Sequence, residues 1–386
     1  MMRSGLPRRA LLGGIAAAVG SAAPGVWAQA EEAGGRLRVG MAAPNTTMDP
    51  HLQSNAPNNA VASHIFDALV TNDEQSRSQP GLAESWRTLD DTRWEFRLRQ
   101  GVRFTDGAPF AATDAIASIK RATDIPSTAS FRTYTRSIKA MTAPDPNTLL
   151  IETAAPDPLL ANSLSRVRII SARFADAAST DFNTGRAAIG TGPFTFQEYV
   201  PGSHVRLARN ESWWGPKPVW SEVVFRIVTD AGARLASLLA GDLDLIESVP
   251  AQGSNRITSD PRFHLIRGIS SRLVYLEMDQ ARASTPFITD KDGNPLGRNP
   301  LRDLRVRQAL DMAINRPALV ERVMDGNAVA ASQFLPTGGP GTAPGLEPTR
   351  FDPDRARALL AEAGFAQGFR ITLHGPNDRY INDGRI

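Results

Sequence analysis

Two carboxylates, Asp242 and Asp244, stand two residues apart in Leu239-Ala240-Gly241-Asp242-Leu243-Asp244-Leu245. At alternate positions of a strand they share one face. A carboxylate pair is the minimum equipment for acid–base hydrolysis. That chemistry also needs the two groups in separate environments, one acid and one base, and the sequence establishes none. Polar residues at a helix-to-strand junction account for the same spacing. The histidines are His51, His64, His204, His264 and His374. None lie three to five apart, so they offer no helix-borne metal pair. Without Cys there is no thiolate nucleophile, thiolate metal site, disulfide or lipidated N-terminal cysteine. Gly190-Thr191-Gly192-Pro193-Phe194 is glycine-rich, but it lacks a third Gly, contains Pro and leads into a strand, so it fails as a dinucleotide loop. No nucleophile elbow, Walker loop, kinase set or zinc-protease set occurs. No cofactor and no metal are expected.

At 386 residues, with 41% hydrophobic content, the chain suggests two or three domains. Its 28 Pro and 31 Gly imply many loops. Residues 1–30 read as an export signal. Arg3, Arg8 and Arg9 form a basic start, Ala10 to Ala23 is an apolar run too short to span a bilayer, and Ala28-Gln29-Ala30 is a small-x-small cleavage site. Arg8-Arg9-Ala10-Leu11-Leu12 suggests twin-arginine export, although Pro7 stands where Ser is usual and no Phe follows. Ordinary Sec export stays open. Cleavage after Ala30 removes three Arg and no acid, which leaves 40 Lys+Arg against 40 Asp+Glu. The formal charge of +3 is therefore no nucleic-acid footprint.

The elements that position these groups alternate between strand and helix. Arg36 to Gly40 is a short strand. Val61, Ile65, Phe66 and Leu69 make an apolar helix face. Trp94, Phe96 and Leu98 alternate with Glu95, Arg97 and Arg99, giving a strand with one apolar face. Gly101 ends it, Thr105-Asp106-Gly107 turns, and Ala112-Thr113-Asp114 opens a helix with Ile116 and Ile119 on one face. Ala143 to Asn147 reads as a turn before a strand, Thr148 to Glu152, and Leu159, Leu160 and Leu164 as a helix stripe. Strands follow at Thr195 to Val200, Val205 to Arg209 and Glu222 to Val228. Asp230 starts a helix with Leu235, Leu238 and Leu239 inward. Val274 to Met278 and Arg370 to His374 read as strands, with a helix capped by Asp352 between them.

Several ordered runs carry a resemblance. Leu82-Ala83-Glu84-Ser85-Trp86 is followed by Leu98-Arg99-Gln100-Gly101-Val102-Arg103-Phe104-Thr105-Asp106-Gly107-Ala108-Pro109-Phe110. Then come the glycine-rich turn at 190–194, Arg209-Asn210-Glu211-Ser212-Trp213-Trp214-Gly215, the Gly241-Asp242-Leu243-Asp244 run, and Val306-Arg307-Gln308-Ala309-Leu310 with Ala313-Ile314-Asn315-Arg316. Together they resemble the family 5 extracytoplasmic solute-binding proteins, the peptide- and nickel-binding receptors of ABC importers. Two positions depart from the pattern: Trp213 replaces Tyr and Asn315 replaces Asp. In that pattern Asp242 and Asp244 fall inside a structural marker, which argues against the rival reading of a secreted, glycosidase-like hydrolase.

The resemblance implies an α/β, two-lobe periplasmic binding-protein fold of the class II type, with an extra subdomain in lobe I. It implies residues 31–62 and 176–267 as lobe I, 63–175 as its subdomain and 268–386 as part of lobe II. Family members continue beyond this kind of end point, so a fragment with an incomplete second lobe is expected. The function implied is a non-enzymatic receptor, monomeric and periplasmic. It would close on a peptide first, or on a nickel chelate, sugar or other small solute, and dock on membrane permease subunits powered by cytoplasmic ATPases. The loop after the first strand, which contains Met48-Asp49-Pro50-His51, lines the cleft in the family, and Asn55 and Asn58 would offer amides there. Asn also simply suits turns. Phe131 and Arg168, with Arg166 as a rival, are the counterparts of an aromatic and an arginine that contact ligand in some members. A packed Phe and a solvated Arg remain the alternatives. Tyr275 and Asp279 would face the cleft from the far side, or else be a core Tyr and a strand-ending Asp.

Overall fold

A computed structural model describes residues 35–250, 253–270, 272–336, 341–376 and 382–386. The expected export signal at 1–30 lies outside them. In chain order the main elements are β1 (Arg36–Met41), α1 (Ala56–Ile65), β2 (Val70–Asn72), β3 (Ser78–Pro80), β4 (Ala83–Thr88), β5 (Arg93–Leu98), α2 (Ala112–Asp124), β6 (Ile138–Asp145), β7 (Thr148–Thr153), β8 (Phe194–Val200), β9 (His204–Arg209), β10 (Glu222–Ile227), α3 (Ala231–Ala240), β11 (Leu245–Ile246), β12 (Ile288–Thr289), α4 (Leu304–Met312), α5 (Pro353–Glu362) and β13 (Arg370–Ile371).

Two sheets organise residues 35–246. The first has the order β11-β1-β10-β9-β8. In it β1 pairs parallel with β10, from Arg36 opposite Glu222 to Met41 opposite Ile227, and also parallel with β11. The second sheet, β4-β5-β7-β6, is antiparallel throughout. Its central strand β5 buries Trp94, Phe96 and Leu98 and leaves Arg93 and Arg97 outside, as the alternation predicts. Against the apolar face packs α2, which buries Ala115, Ile119 and Ala122. Asp114 holds the start of α2: one carboxylate oxygen accepts from Ala111 N at 2.8 Å, the other from Ala172 N at 2.7 Å.

Each sheet has its own core. One runs from Leu69 to Ile169 around the antiparallel sheet. The other joins Met41, Met48 and α1 to Ile170, Phe182, Phe194, Val205 and Phe225 around the mixed sheet. The 190–194 turn locks the two together. A Cβ at Gly190 would sit 1.9 Å from Ile65 O, and one at Gly192 would sit 2.7 Å from Ile65 C, so only glycine lets this turn press against the end of α1. Gly192 N donates to Ile65 O at 2.9 Å.

Four sequence expectations are corrected. The stretch before β7 is itself a strand, β6. Register shifts at Ile138/Ala140 and Thr142/Asp145 break its alternation and hide it. Leu159 is 65% exposed, outside the buried stripe of Leu160, Ala161 and Leu164. Residues 274–278 carry no ladder among the described residues, and Val274, Tyr275 and Leu276 are exposed, because a strand forms only where a second strand pairs with it. Asp242 and Asp244 precede β11 in a bend instead of sharing a strand face, because α3 ends at Gly241 in the left-handed conformation (φ 82°).

Candidate functional site

In sheets with parallel strands, ligands favour the crevice beyond the strands' carboxyl ends. Here β1, β10 and β11 end together at Met41, Ile227 and Ile246, and the loop leaving β1 runs from Ala42 to α1. Glu247 accepts from Ala42 N at 2.7 Å, which fixes the start of that loop. Tyr199 OH donates to Asn45 O at 3.2 Å. Beneath the ends of β10 and β11 lies Arg234 of α3, 2% exposed. It donates to Val228 O at 2.6 Å, Thr229 O at 3.2 Å, Glu247 O at 3.1 Å and Ser248 O at 3.0 Å. Burial holds this guanidinium below its usual pKa; Glu247 and Asp230 pull it back up. It ties the two strand ends together with carbonyl oxygens alone.

The loop is rigid further along. Asp49 is 1% exposed and receives a bidentate pair from Arg121 of α2, both bonds 2.7 Å, with a third donor in Ser179 Oγ at 2.7 Å. Burial by itself would push the Asp49 carboxyl up, but Arg121 overrides it and holds the pKa below the usual range. His51 is fully buried between Arg121 Nη1, 3.2 Å from its Nδ1, and Arg168 O, 2.7 Å from its Nε2. Burial, then the Arg121 charge, lowers its pKa to about 4. Ser54 N donates to Ala129 O at 2.8 Å, which stitches the loop to the 127–131 segment.

The structure gathers four of the sequence-derived site residues around this loop. Asn55 caps α1 through Asn58 N at 3.0 Å. Asn58 is 4% exposed and binds Thr46 N and Thr46 Oγ1 at 2.8 and 3.2 Å. Both amides thus serve the loop itself. Phe131 is 0% exposed in the core and meets the His51 ring edge-on at 6.4 Å. Arg168 pairs by backbone with Ala68. Its side chain has no hydrogen-bond or ion-pair partner among the described residues, and its Nε is buried. Burial lowers its pKa to about 10, countered by the neighbouring charge of Asp67, so it stays cationic at neutral pH. Arg166, the rival, is exposed.

Tyr275 and Asp279 stand apart from this group. Tyr275 is 56% exposed and meets Phe334 edge-on, at 5.5 Å. Asp279 caps a local turn, accepting from Arg282 N at 3.2 Å and Arg282 Nη1 at 3.1 Å. The carboxylate pair of the rival reading separates too. Asp244 is bound by Arg38 through 2.7 and 2.9 Å bonds and, although partial desolvation opposes it, held below its usual pKa; Asp242 and Asp244 are both exposed. Among the described residues no group of three or more His, Cys, Asp or Glu could hold a metal ion.

Sequence reasoning missed Asp67. Its carboxylate accepts from Trp214 Nε1 at 2.8 Å, Thr191 Oγ1 at 3.0 Å and Trp213 Nε1 at 3.4 Å. Two of the sequence markers, 190–194 and 209–215, therefore converge on one acid beside Arg168. Burial raises its pKa, with the three donors and Arg168 opposing. No local pattern around Asp67 announces this role; only the distant markers do.

These features define an α/β protein of the two-lobe periplasmic binding-protein class. Its fold matches "ABC transporter-associated periplasmic binding protein DppA from Helicobacter pylori in complex with peptide STSA", with a TM-score of 0.65, 24% identity, and coverage of 86% of this chain and 67% of that one. Residues 77–383 match the family model for bacterial extracellular solute-binding proteins, family 5 Middle, and the chain belongs to that family. It is 28% identical over 332 residues to glutathione-binding protein GsiB of Escherichia coli (strain K12), covering 85% of this chain and 61% of that protein. It is 27% identical over 328 residues to the nickel-binding periplasmic protein of the same organism, covering 82% and 59%. The chain thus spans about three-fifths of the length of the curated relatives it matches. Among the described residues no helix is long and apolar enough to cross a membrane.

Proposed function

We propose that this protein is the solute-capturing component of an ABC importer. It works in the periplasm without catalysing a reaction, and it delivers its solute to membrane permease subunits. The solute class is a peptide or another small molecule bearing a carboxylate. The observation that carries this reading is Arg168: a half-buried cation, with Asp67 nearby, whose side chain makes no hydrogen bond or ion pair among the described residues, beside the loop that leaves the carboxyl end of β1. A desolvated guanidinium gains most from a bidentate anion. Family membership and the glutathione- and nickel-binding relatives support the receptor role. The separate cores support an inserted subdomain within 63–175, whose own core runs from Leu69 to Ile169, between the parts of lobe I (31–62 and 176–267), with 268–386 beyond; Ile65, Phe66 and Ile170 pack into the lobe I core.

A thermal-shift screen of the full-length protein against peptides, metal chelates and sugars tests it, since a ligand raises stability as RT ln(1+[L]/Kd). Stabilisation by a carboxylate-bearing solute, lost at least tenfold in affinity in Arg168→Met, is the expected result. A flat response across all three classes removes the reading. Binding that Arg168→Met leaves intact removes the carboxylate assignment.

A further inference from the structure

The Met48-Asp49-Pro50-His51 run has no part in the capture step above, yet it carries two deeply buried titratable groups: Asp49 is 1% and His51 0% exposed. The chemistry of its neighbours settles the state of the imidazole. Arg121 Nη1 can only donate, so His51 Nδ1, at 3.2 Å, must accept. The backbone oxygen of Arg168 can only accept, so Nε2, at 2.7 Å, must carry the hydrogen. One neutral tautomer satisfies both contacts. A second proton would have to enter at Nδ1, facing the guanidinium.

We propose that His51 is the positioning residue for Arg168: a neutral Nε2–H imidazole that carries the fixed geometry of the Asp49–Arg121 ion pair into the Arg168 backbone. The inference rests on the reading of Arg168 as the solute's contact. Its anchor is firm at both ends. Arg121 is held by Asp49 through two 2.7 Å bonds and by Ala177 O at 3.0 Å, and its guanidinium lies 4.8 Å from the Phe182 ring centre. On the other side the Phe131 ring stands edge-on to the imidazole. The charged groups acting on His51 are Arg121 from α2, Asp49 from its own loop and Arg168 through its backbone. The Arg168 side chain makes no hydrogen bond or ion pair among the described residues, so the hydrogen bonds that position it act on its backbone. That backbone is fixed by His51 and by the bridge to Ala68.

The test uses nitrogen-15 NMR of the histidine ring and of the Arg168 Nε–H group in the ligand-free protein. In the native protein His51 should show the neutral Nε2–H tautomer, unchanged from about pH 8 down to about pH 5. An Nδ1–H tautomer, or protonation near the ordinary histidine value, overturns the proposal. His51→Gln keeps a donor for Arg168 O and an acceptor for Arg121, so the Arg168 Nε–H signal should stay close to native. His51→Leu removes both, and that signal should shift or broaden. If His51→Leu folds and leaves the signal unchanged, His51 does not position Arg168. If it fails to fold, the native tautomer decides. Failure here leaves the capture reading standing, because that reading is judged by the Arg168→Met affinity, not by these signals.

Discussion

Residues 35–265 and residues 266–386 contrast in how completely they satisfy themselves. The earlier region holds two large apolar cores with 22 and 15 buried residues, whereas the clusters formed by the later region hold five and three among the described residues. Of the 20 exposed large hydrophobic side chains among the described residues, 15 lie beyond residue 265. The ion pairs differ likewise. Asp49–Arg121 is sealed, with side chains 0% and 6% exposed, while Asp279–Arg282 lies at the surface, 26% and 62% exposed. Local patterning is equally sound in both regions: Asp303 caps α4 and Asp352 caps α5 as well as Asp230 caps α3. What differs is long-range partnership. Helix caps and turns arise from neighbours in sequence, but strands and deep cores need distant segments.

The largest expected effect breaks the contrast from the satisfied side. Asp49→Ala leaves Arg121 charged and sealed from water, and should destabilise the fold by about 3–5 kcal/mol. Urea denaturation checks it, and a shift in midpoint comparable to a surface change would remove the claim that this network fixes the loop.

A smaller effect is read with pH. The folded pKa of His51, about 4, lies below the ordinary histidine value of 6.5. The unfolded chain therefore binds the proton more readily. The stability this histidine contributes is complete above pH 6.5 and declines as pH falls toward 4. Between about pH 7.5 and about pH 5 the loss should be about 2 kcal/mol. Other groups titrate over the same range, so the comparison is with His51→Gln, whose stability should fall by about that much less. Equal slopes for the two proteins would contradict the buried neutral state.

The smallest effect sharpens the other side. Asp279→Ala breaks a solvent-exposed pair and should change stability by less than about 0.5 kcal/mol. A loss near that of Asp49→Ala would mean that the later region is as tightly knit as the earlier one.

Much of the scaffold was legible from residue order. The β5 alternation, the start of α2, the 190–194 turn and the caps at Asp230 and Asp352 all follow from spacing and side-chain type. The candidate site was legible only in outline. Arg168 and the loop that contains Asn55 and Asn58 were singled out, but both amides turn out to bind within the loop, and Phe131 is core. A run such as 274–278 carries strand composition without a strand, because composition describes one partner of a ladder and not the other.

The sequence by itself determined the family, the alternation of helix and strand, and the absence of thiolate chemistry, since these depend on residue type and near spacing. Only the tertiary structure decided that Asp49, His51, Arg121 and Arg168 form one chain of contacts, and that Asp67 gathers Thr191, Trp213 and Trp214. Those residues lie up to 147 positions apart. Whether a charge is paired, buried or left free depends on which distant segments fold against it, and no local spacing encodes that.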